Sequence, residues 1–190
     1  VFKAHDIGYF FYNGGGDSQD TVHKIANYAE ACNYPLTCIG LPKTIDNDLP
    51  TTDCCPGFGS VAKYLAASIS GTALDVSGMA ETSTKVFILE VMGRHAGWIA
   101  ASTALARLGP TKAPHIILLP EVAFDMPRFL DKVKNTVKQH GHCVIATSEG
   151  VRNQRGQFLT ESNELDAFGH QQLGGVAPIL SNLIRQQLGI

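Results

Sequence analysis

The stretch His115-Ile116-Ile117-Leu118-Leu119, then Asp125-Met126-Pro127, the apolar positions Leu130, Val133 and Val137, Gly141, and finally Cys143-Val144-Ile145-Ala146-Thr147 decides the fold. Two apolar, β-branched runs enclose a segment whose apolar residues step by three and four, the spacing of one helix face. Asp125 is placed to cap the helix start, Pro127 suits its first turn and Gly141 its stop. A strand, a helix and a second strand imply a crossover connection between parallel strands. The same alternation continues toward the N-terminus. Strand-like runs recur at Tyr9–Tyr12, Leu36–Ile39 and Lys85–Val91, and Val61, Leu65 and Ile69 step by four along one helix face. A further helix is expected from about His95 to Leu108. The fold class is therefore α/β, with mostly parallel sheets flanked by helices. The continuous apolar runs predict strands buried on both faces.

The 190 residues carry 15 Lys+Arg against 17 Asp+Glu, a formal net charge of −2 with 17% charged and 44% hydrophobic residues. This balance describes a folded globular protein and lacks the basic excess of a nucleic-acid binder. The longest apolar runs, Val86–Leu89 and Ile116–Leu119, fall far below the roughly 18 residues of a membrane helix, so no membrane partner is expected. No basic stretch, apolar run and small-residue cleavage site occur in series near the N-terminus. Five cysteines (Cys32, Cys38, Cys54, Cys55 and Cys143) are an odd number, with neither CxxC nor zinc-finger spacing. The reading is a cytoplasmic protein with reduced thiols.

Ligands of parallel α/β sheets gather beyond the carboxyl ends of strands. That rule selects Asn13–Asp20, Pro42–Asp48, Met92–Arg94, Pro120-Glu121 and Glu149. In Asn13-Gly14-Gly15-Gly16-Asp17-Ser18-Gln19-Asp20, three glycines precede a helix through Val22 and Ile25. Free N–H groups at such a helix start favour phosphate. A flexible turn capped by Asp17, Ser18 or Asp20 fits the same residues. In Pro42-Lys43-Thr44-Ile45-Asp46-Asn47-Asp48-Leu49-Pro50 the prolines oppose a helix. An extended path would point Thr44, Asp46 and Asp48 to one side. One carboxylate can then accept a proton from an attacking hydroxyl while the other orients it or holds a metal ion. A turn in which Asp and Asn bond their own backbone is the plainer alternative. Arg94 suits a phosphate clamp and Glu121 suits sugar hydroxyls, although, taken singly, a surface ion pair fits Arg94 and a helix-region carboxylate fits Glu121.

Taken together, these segments resemble the 6-phosphofructokinase family. Pro42–Asp48 is similar to its PxTIDND signature, Met92-Gly93-Arg94 to its MGR, and Gly14–Ser18 to its GGDGS. Pro120-Glu121 resembles its PE and Gly169–Gly175 its GHxQxGG, so five ordered matches span the chain. The resemblance implies phosphoryl transfer to the 1-hydroxyl of fructose 6-phosphate, with Mg2+ as cofactor. By the same resemblance Asp46 corresponds to the general base, Asp48 to its acidic support and Thr44 to a substrate-contacting hydroxyl. Met92, Gly93, Arg94, Glu121 and His170 fall at sugar-phosphate positions, and Gly15, Gly16, Asp17 and Ser18 at donor-binding ones. The roles suit a reaction governed by positioning and electrostatics.

The departures from the family pattern carry information of their own. ATP-using members have glycine at the positions of Asp17 and Lys43, so the chain resembles the pyrophosphate-dependent branch. An aspartate at 17 would crowd and repel the α-phosphate of ATP, whereas Lys43 can hold the shorter pyrophosphate. Transfer from pyrophosphate would be reversible. Gly16 replaces the aspartate associated with magnesium, leaving metal binding to Asp17, Asp46 and residues elsewhere. Lys85 replaces an arginine that a neighbouring subunit contributes, and Leu173 replaces another arginine; a homo-oligomer is implied. The family arrangement places residues 1–57 and 178–190 in a donor-phosphate domain and 58–177 in a fructose 6-phosphate domain, with the first domain incomplete. An ATP-dependent enzyme, or a non-catalytic piece that binds sugar phosphate or partner subunits, are the competing readings.

Overall fold

A computed structural model of the chain describes residues 1–109, 111–160 and 175–190. Its strands are β1 (Tyr9–Gly14), β2 (Thr37–Pro42), β3 (Val86–Val91), β4 (Ile116–Leu118) and β5 (Cys143–Ser148). Its α-helices are α1 (Gly16–Ala31), α2 (Phe58–Met79), α3 (Trp98–Ser102), α4 (Met126–His140) and α5 (Val176–Leu188). β1 and β2 pair in parallel, and a second parallel sheet has the order β3-β5-β4. Among the described residues no helix is long and apolar enough to cross a membrane.

The central strand β5 explains the second sheet. All six of its residues are buried, and their alternation feeds two cores. Cys143 and Ile145 pack with Phe129 and Val133 of α4 and with Val176, Leu180 and Ile184 of α5. Val144 and Ala146 face the other way, toward Ile69 and Ala73 of α2 and Ala106. Strand alternation thus gives β5 one apolar set per face, as a strand between two helical layers requires. β1 and β2 depart from the both-faces expectation. Tyr9, Phe11, Ile39 and Leu41 are exposed because α1 packs on this two-strand sheet and no described element covers these four side chains.

The α4 punctuation is as the residues suggest: Asp125 Oδ1 accepts from Arg128 N at 2.9 Å, and Gly141 closes the helix at φ 79°. β2 starts one residue later and ends three residues later than the apolar pattern implied. The helix expected from His95 to Leu108 is instead a short α3 followed by a 3-10 segment at Thr103–Leu108. Ser102 and Thr103 donate their hydroxyls to Ile99 O and Ala100 O, bonds that favour a tighter turn over a continued helix. α5 packs on β3, β5 and α4, with Val176, Leu180 and Ile184 as its buried stripe.

A carboxylate at the end of β3 secures α5. Glu90 Oε1 accepts from Gly175 N and Oε2 from Ala177 N, both at 2.9 Å, so two N-terminal amides of the helix are satisfied by one ion. Glu90→Ala should lower stability by about 1–2 kcal/mol. An unchanged urea midpoint would show that this cap contributes nothing.

At the opposite end of the sheet, His115 is stacked on His140 and set edge-on to His142, each at 5.2 Å between ring centroids. Burial, then the neighbouring histidines and Arg107, push its pKa down to about 4, while Nδ1 accepts from Val144 N at 2.9 Å. An unfolded histidine titrates near 6.5. Folding therefore opposes protonation: stability is full above about pH 6.5 and falls as pH drops toward about 4. Urea midpoints measured across this window should fall with pH, and His115→Asn should flatten the slope.

All five cysteines are free, as their spacing suggested, and burial pushes the Cys143 thiol up to about 12. A thiol so reluctant to ionise serves as core packing.

Candidate active site

The carboxyl ends of β1 and β2 open onto a cavity of about 350 Å³. Gly15, Gly16 and Gln19 line it from the start of α1, and Lys43, Thr44, Asp46 and Asp48 from the loop after β2. Met92, from the end of β3, closes it on the side of the second sheet. The helix start is built without a side-chain cap. Gly15 occupies the capping position in an extended conformation, so neither Asp17, Ser18 nor Asp20 performs the alternative role of capping residue. Gln19 instead crosses to the strands, donating from Nε2 to Gly14 O at 3.0 Å, and Lys43 N donates to the same carbonyl at 2.9 Å. Gly14 itself admits no side chain, since a Cβ there would fall within 2.5 Å of the Ser18 Cβ.

Thr44, Asp46 and Asp48 do converge on this cavity, but by a turn rather than an extended path. Asp46 N donates to Thr44 Oγ1 at 3.1 Å, and Asn47 between the two aspartates adopts φ 56°. Asn47 is also a brace across the loop: its Oδ1 accepts from Cys55 N at 2.8 Å. Asp46 is half-buried, and its Oδ1 is buried without a hydrogen-bond partner. Burial first, then the charges of Asp48 and Glu149, raise its pKa, against the opposing pull of Arg94 and His95. A carboxylate in this state binds a proton more readily than an ordinary aspartate.

The second sheet contributes through one locked turn. Gly93 has φ 131°, and its N–H donates to Glu149 Oε1 at 3.3 Å. Ser148 Oγ donates to Gly93 O and accepts from Gly150 N at 3.0 Å. Gly150 permits this approach, since a Cβ there would lie 2.6 Å from the Arg94 carbonyl carbon. The ends of β3 and β5 are thereby fixed together, with Arg94 and Glu149 within electrostatic reach of Asp46. Arg94 has no carboxylate partner among the described residues.

Other expected residues do not line this cavity. Lys85 precedes β3, six residues of strand from Met92, or about 20 Å. It borders a different cavity with Pro178 and Ser181, so within one chain it does not join Arg94. Glu121 Oε1 accepts from Gly97 N at 2.6 Å and so holds the entry to α3. Glu149 is the carboxylate brought near Asp46. Asp17 is exposed on the first turn of α1; the bond and charge of Asp20 hold the Lys24 pKa up, with a smaller pull from Asp17. His170 and Leu173 lie outside the described residues. Arg152, which the spacing did not single out, contacts His95 at 2.8 Å. Only the fold reveals it, since the two are 57 residues apart.

Among the described residues no three His, Cys, Asp or Glu side chains are grouped to hold a metal ion by themselves. The donor set nonetheless fits magnesium bound with phosphate, which needs only one or two carboxylates besides phosphate oxygens and water. Asp48 is an exposed hard-oxygen group on the cavity wall, and Asp17 is one on the adjoining helix turn.

A glycine-fronted helix start, a lysine and an arginine around a proton-seeking carboxylate, at the carboxyl ends of parallel strands, define an α/β protein built to handle phosphate. A family model described as "Phosphofructokinase" matches residues 1–190, and the chain belongs to that family. It is 58% identical over 189 residues to the pyrophosphate--fructose 6-phosphate 1-phosphotransferase of Halomonas elongata, covering 100% of this chain and 45% of that protein. The crystal structure of a pyrophosphate-dependent phosphofructokinase from Marinobacter aquaeolei is similar at 54% identity and TM-score 0.77, over 99% of this chain and 43% of that one. The corresponding protein from Nitrosospira multiformis gives 51% and 0.79, over 100% and 44%. The chain thus spans about half the length of the relatives it matches.

Proposed function

We propose that the polypeptide carrying this chain transfers a phosphoryl group from inorganic pyrophosphate to the 1-hydroxyl of fructose 6-phosphate. The observation that carries the reading is Asp46: a half-buried carboxylate with raised proton affinity and an unpartnered oxygen, beside Lys43 and the open start of α1. Its oxygen takes the hydroxyl proton as the sugar oxygen bonds to the terminal phosphorus. The P–O–P bond breaks, and orthophosphate leaves against Lys43 and the helix amides. Thr44 contacts substrate, and Asp48 keeps Asp46 proton-seeking. Arg94, with Met92 and Gly93, seats the sugar phosphate, and Glu121 receives the sugar hydroxyls. His170 joins that site. Gly15, Gly16 and Ser18 receive the donor, and Asp17 excludes ATP.

Mg2+, held by Asp17 and Asp48 together with phosphate oxygens, supplies charge neutralisation when bound. Lys85 serves the site of a second copy, which makes the enzyme a homo-oligomer. Free cysteines and the sugar-phosphate transfer for which the relatives are named support a cytoplasmic location. One anhydride P–O bond breaks as one ester P–O bond forms, and reversibility belongs to the pyrophosphate-dependent reading, so the reverse reaction is the test. Fructose 1,6-bisphosphate and orthophosphate should yield fructose 6-phosphate and pyrophosphate. Reverse transfer to ADP in place of orthophosphate would assign the ATP-dependent alternative.

A further inference from the structure

The electrostatic environment of Asp46 includes a histidine that the proposed reaction has not used. His95 directly follows Arg94, its side chain is exposed, and Arg152 Nη2 lies 2.8 Å from its Nδ1. A guanidinium has only donors, so Nδ1 must accept, and a neutral imidazole that accepts at Nδ1 carries its proton on Nε2. Arg152 is itself held in place: its guanidinium sits 4.5 Å over the Phe158 ring, and its carbonyl accepts from Phe124 N at 2.7 Å. The Phe158 ring also flanks His95, at 6.1 Å between centroids. The charged groups acting on His95 are Arg152 and Arg94, which oppose its protonation, and Asp48 and Asp46, which favour it. The two ring nitrogens point to opposite sides, so with Nδ1 engaged by Arg152 the Nε2–H is directed away from it. Among the described residues Nε2 has no hydrogen-bond partner.

We infer that His95 is a neutral Nε2–H donor to a phosphate oxygen of the sugar phosphate seated by Arg94, and that Arg152 is the positioning residue that fixes this tautomer. The inference rests on the phosphoryl-transfer reading for its ligand, whereas the tautomer stands on the Arg152 contact alone. Burial and the two arginines lower the pKa of His95, in keeping with a neutral ring. Protonated, the ring would lose its acceptor and repel Arg152.

The experiment combines imidazole 15N NMR with kinetics in the polypeptide that carries this chain. Wild-type His95 should show the Nε2–H tautomer near neutral pH, and Arg152→Met should convert it to a tautomer mixture while Arg152→Lys preserves it. Adding fructose 6-phosphate should shift the Nε2 resonance, and adding pyrophosphate alone should not. His95→Asn, which keeps only the Nδ1 position, should raise KM for fructose 6-phosphate on the order of 10- to 100-fold. His95→Gln, which restores a donor near Nε2, should recover part of that loss. A wild-type Nδ1–H tautomer, an unshifted Nε2 with fructose 6-phosphate, or equal kinetics for wild type and His95→Asn would overturn the inference. Failure of the phosphoryl-transfer reading is distinguishable, because it would abolish wild-type turnover while leaving the tautomer and its sugar-phosphate response measurable.

Discussion

Asp46→Asn should lower kcat by between about 100- and 10,000-fold, the usual worth of a positioned general base. Asparagine keeps the shape and the bond from Asp46 N to Thr44 Oγ1, but cannot take the hydroxyl proton. Folding should survive. Because burial and like charges raise the Asp46 pKa, the ionised carboxylate is a burden on the folded state at neutral pH, so Asn should leave the melting temperature equal or higher. A parallel loss of activity and stability would instead make Asp46 a structural group. The same cause orders the pH profile. The base works ionised, so the acid limb of kcat/KM should lie above the ordinary carboxylate range, and Asp48→Asn, which removes a like charge, should move it to lower pH.

The second large effect concerns donor choice. Replacing Lys43 and Asp17 together with glycine should weaken pyrophosphate use on the order of 10- to 100-fold and admit ATP. Lys43 is an exposed cation on the cavity wall whose loss removes a charge-assisted contact to the leaving phosphate. Asp17 is on the first turn of α1, next to the glycine that lines the cavity, and under the proposed function it blocks a longer donor. Initial rates with each donor measure the change. An unaltered pyrophosphate-to-ATP ratio would remove both residues from donor selection.

How legible the site was depends on how local each interaction is. The α4 cap and stop lie within their own segment, and Asp125, Pro127 and Gly141 behave as their types dictate. The strand of continuous apolar residues, Cys143 to Thr147, is the one buried on both faces. Thr44, Asp46 and Asp48 were placed together on an extended path, yet the convergence comes from Asn47 in a left-handed conformation tied to Cys55. That tie spans eight residues and leaves no periodic trace. Glu149 and Arg152 reach Gly93 and His95 across 56 and 57 residues, a pairing created when β3 and β5 become neighbours. The bond from the Gly97 amide to Glu121, 24 residues away, is likewise one that neither segment announces by itself.

The most direct test supplies fructose 6-phosphate, magnesium and equimolar pyrophosphate and ATP to the polypeptide carrying this chain, and follows the reaction by 31P NMR. Fructose 1,6-bisphosphate and orthophosphate should appear as pyrophosphate disappears, with ATP untouched and the signal lost in Asp46→Asn. Consumption of ATP in place of pyrophosphate, or full turnover by Asp46→Asn, would contradict the proposed function.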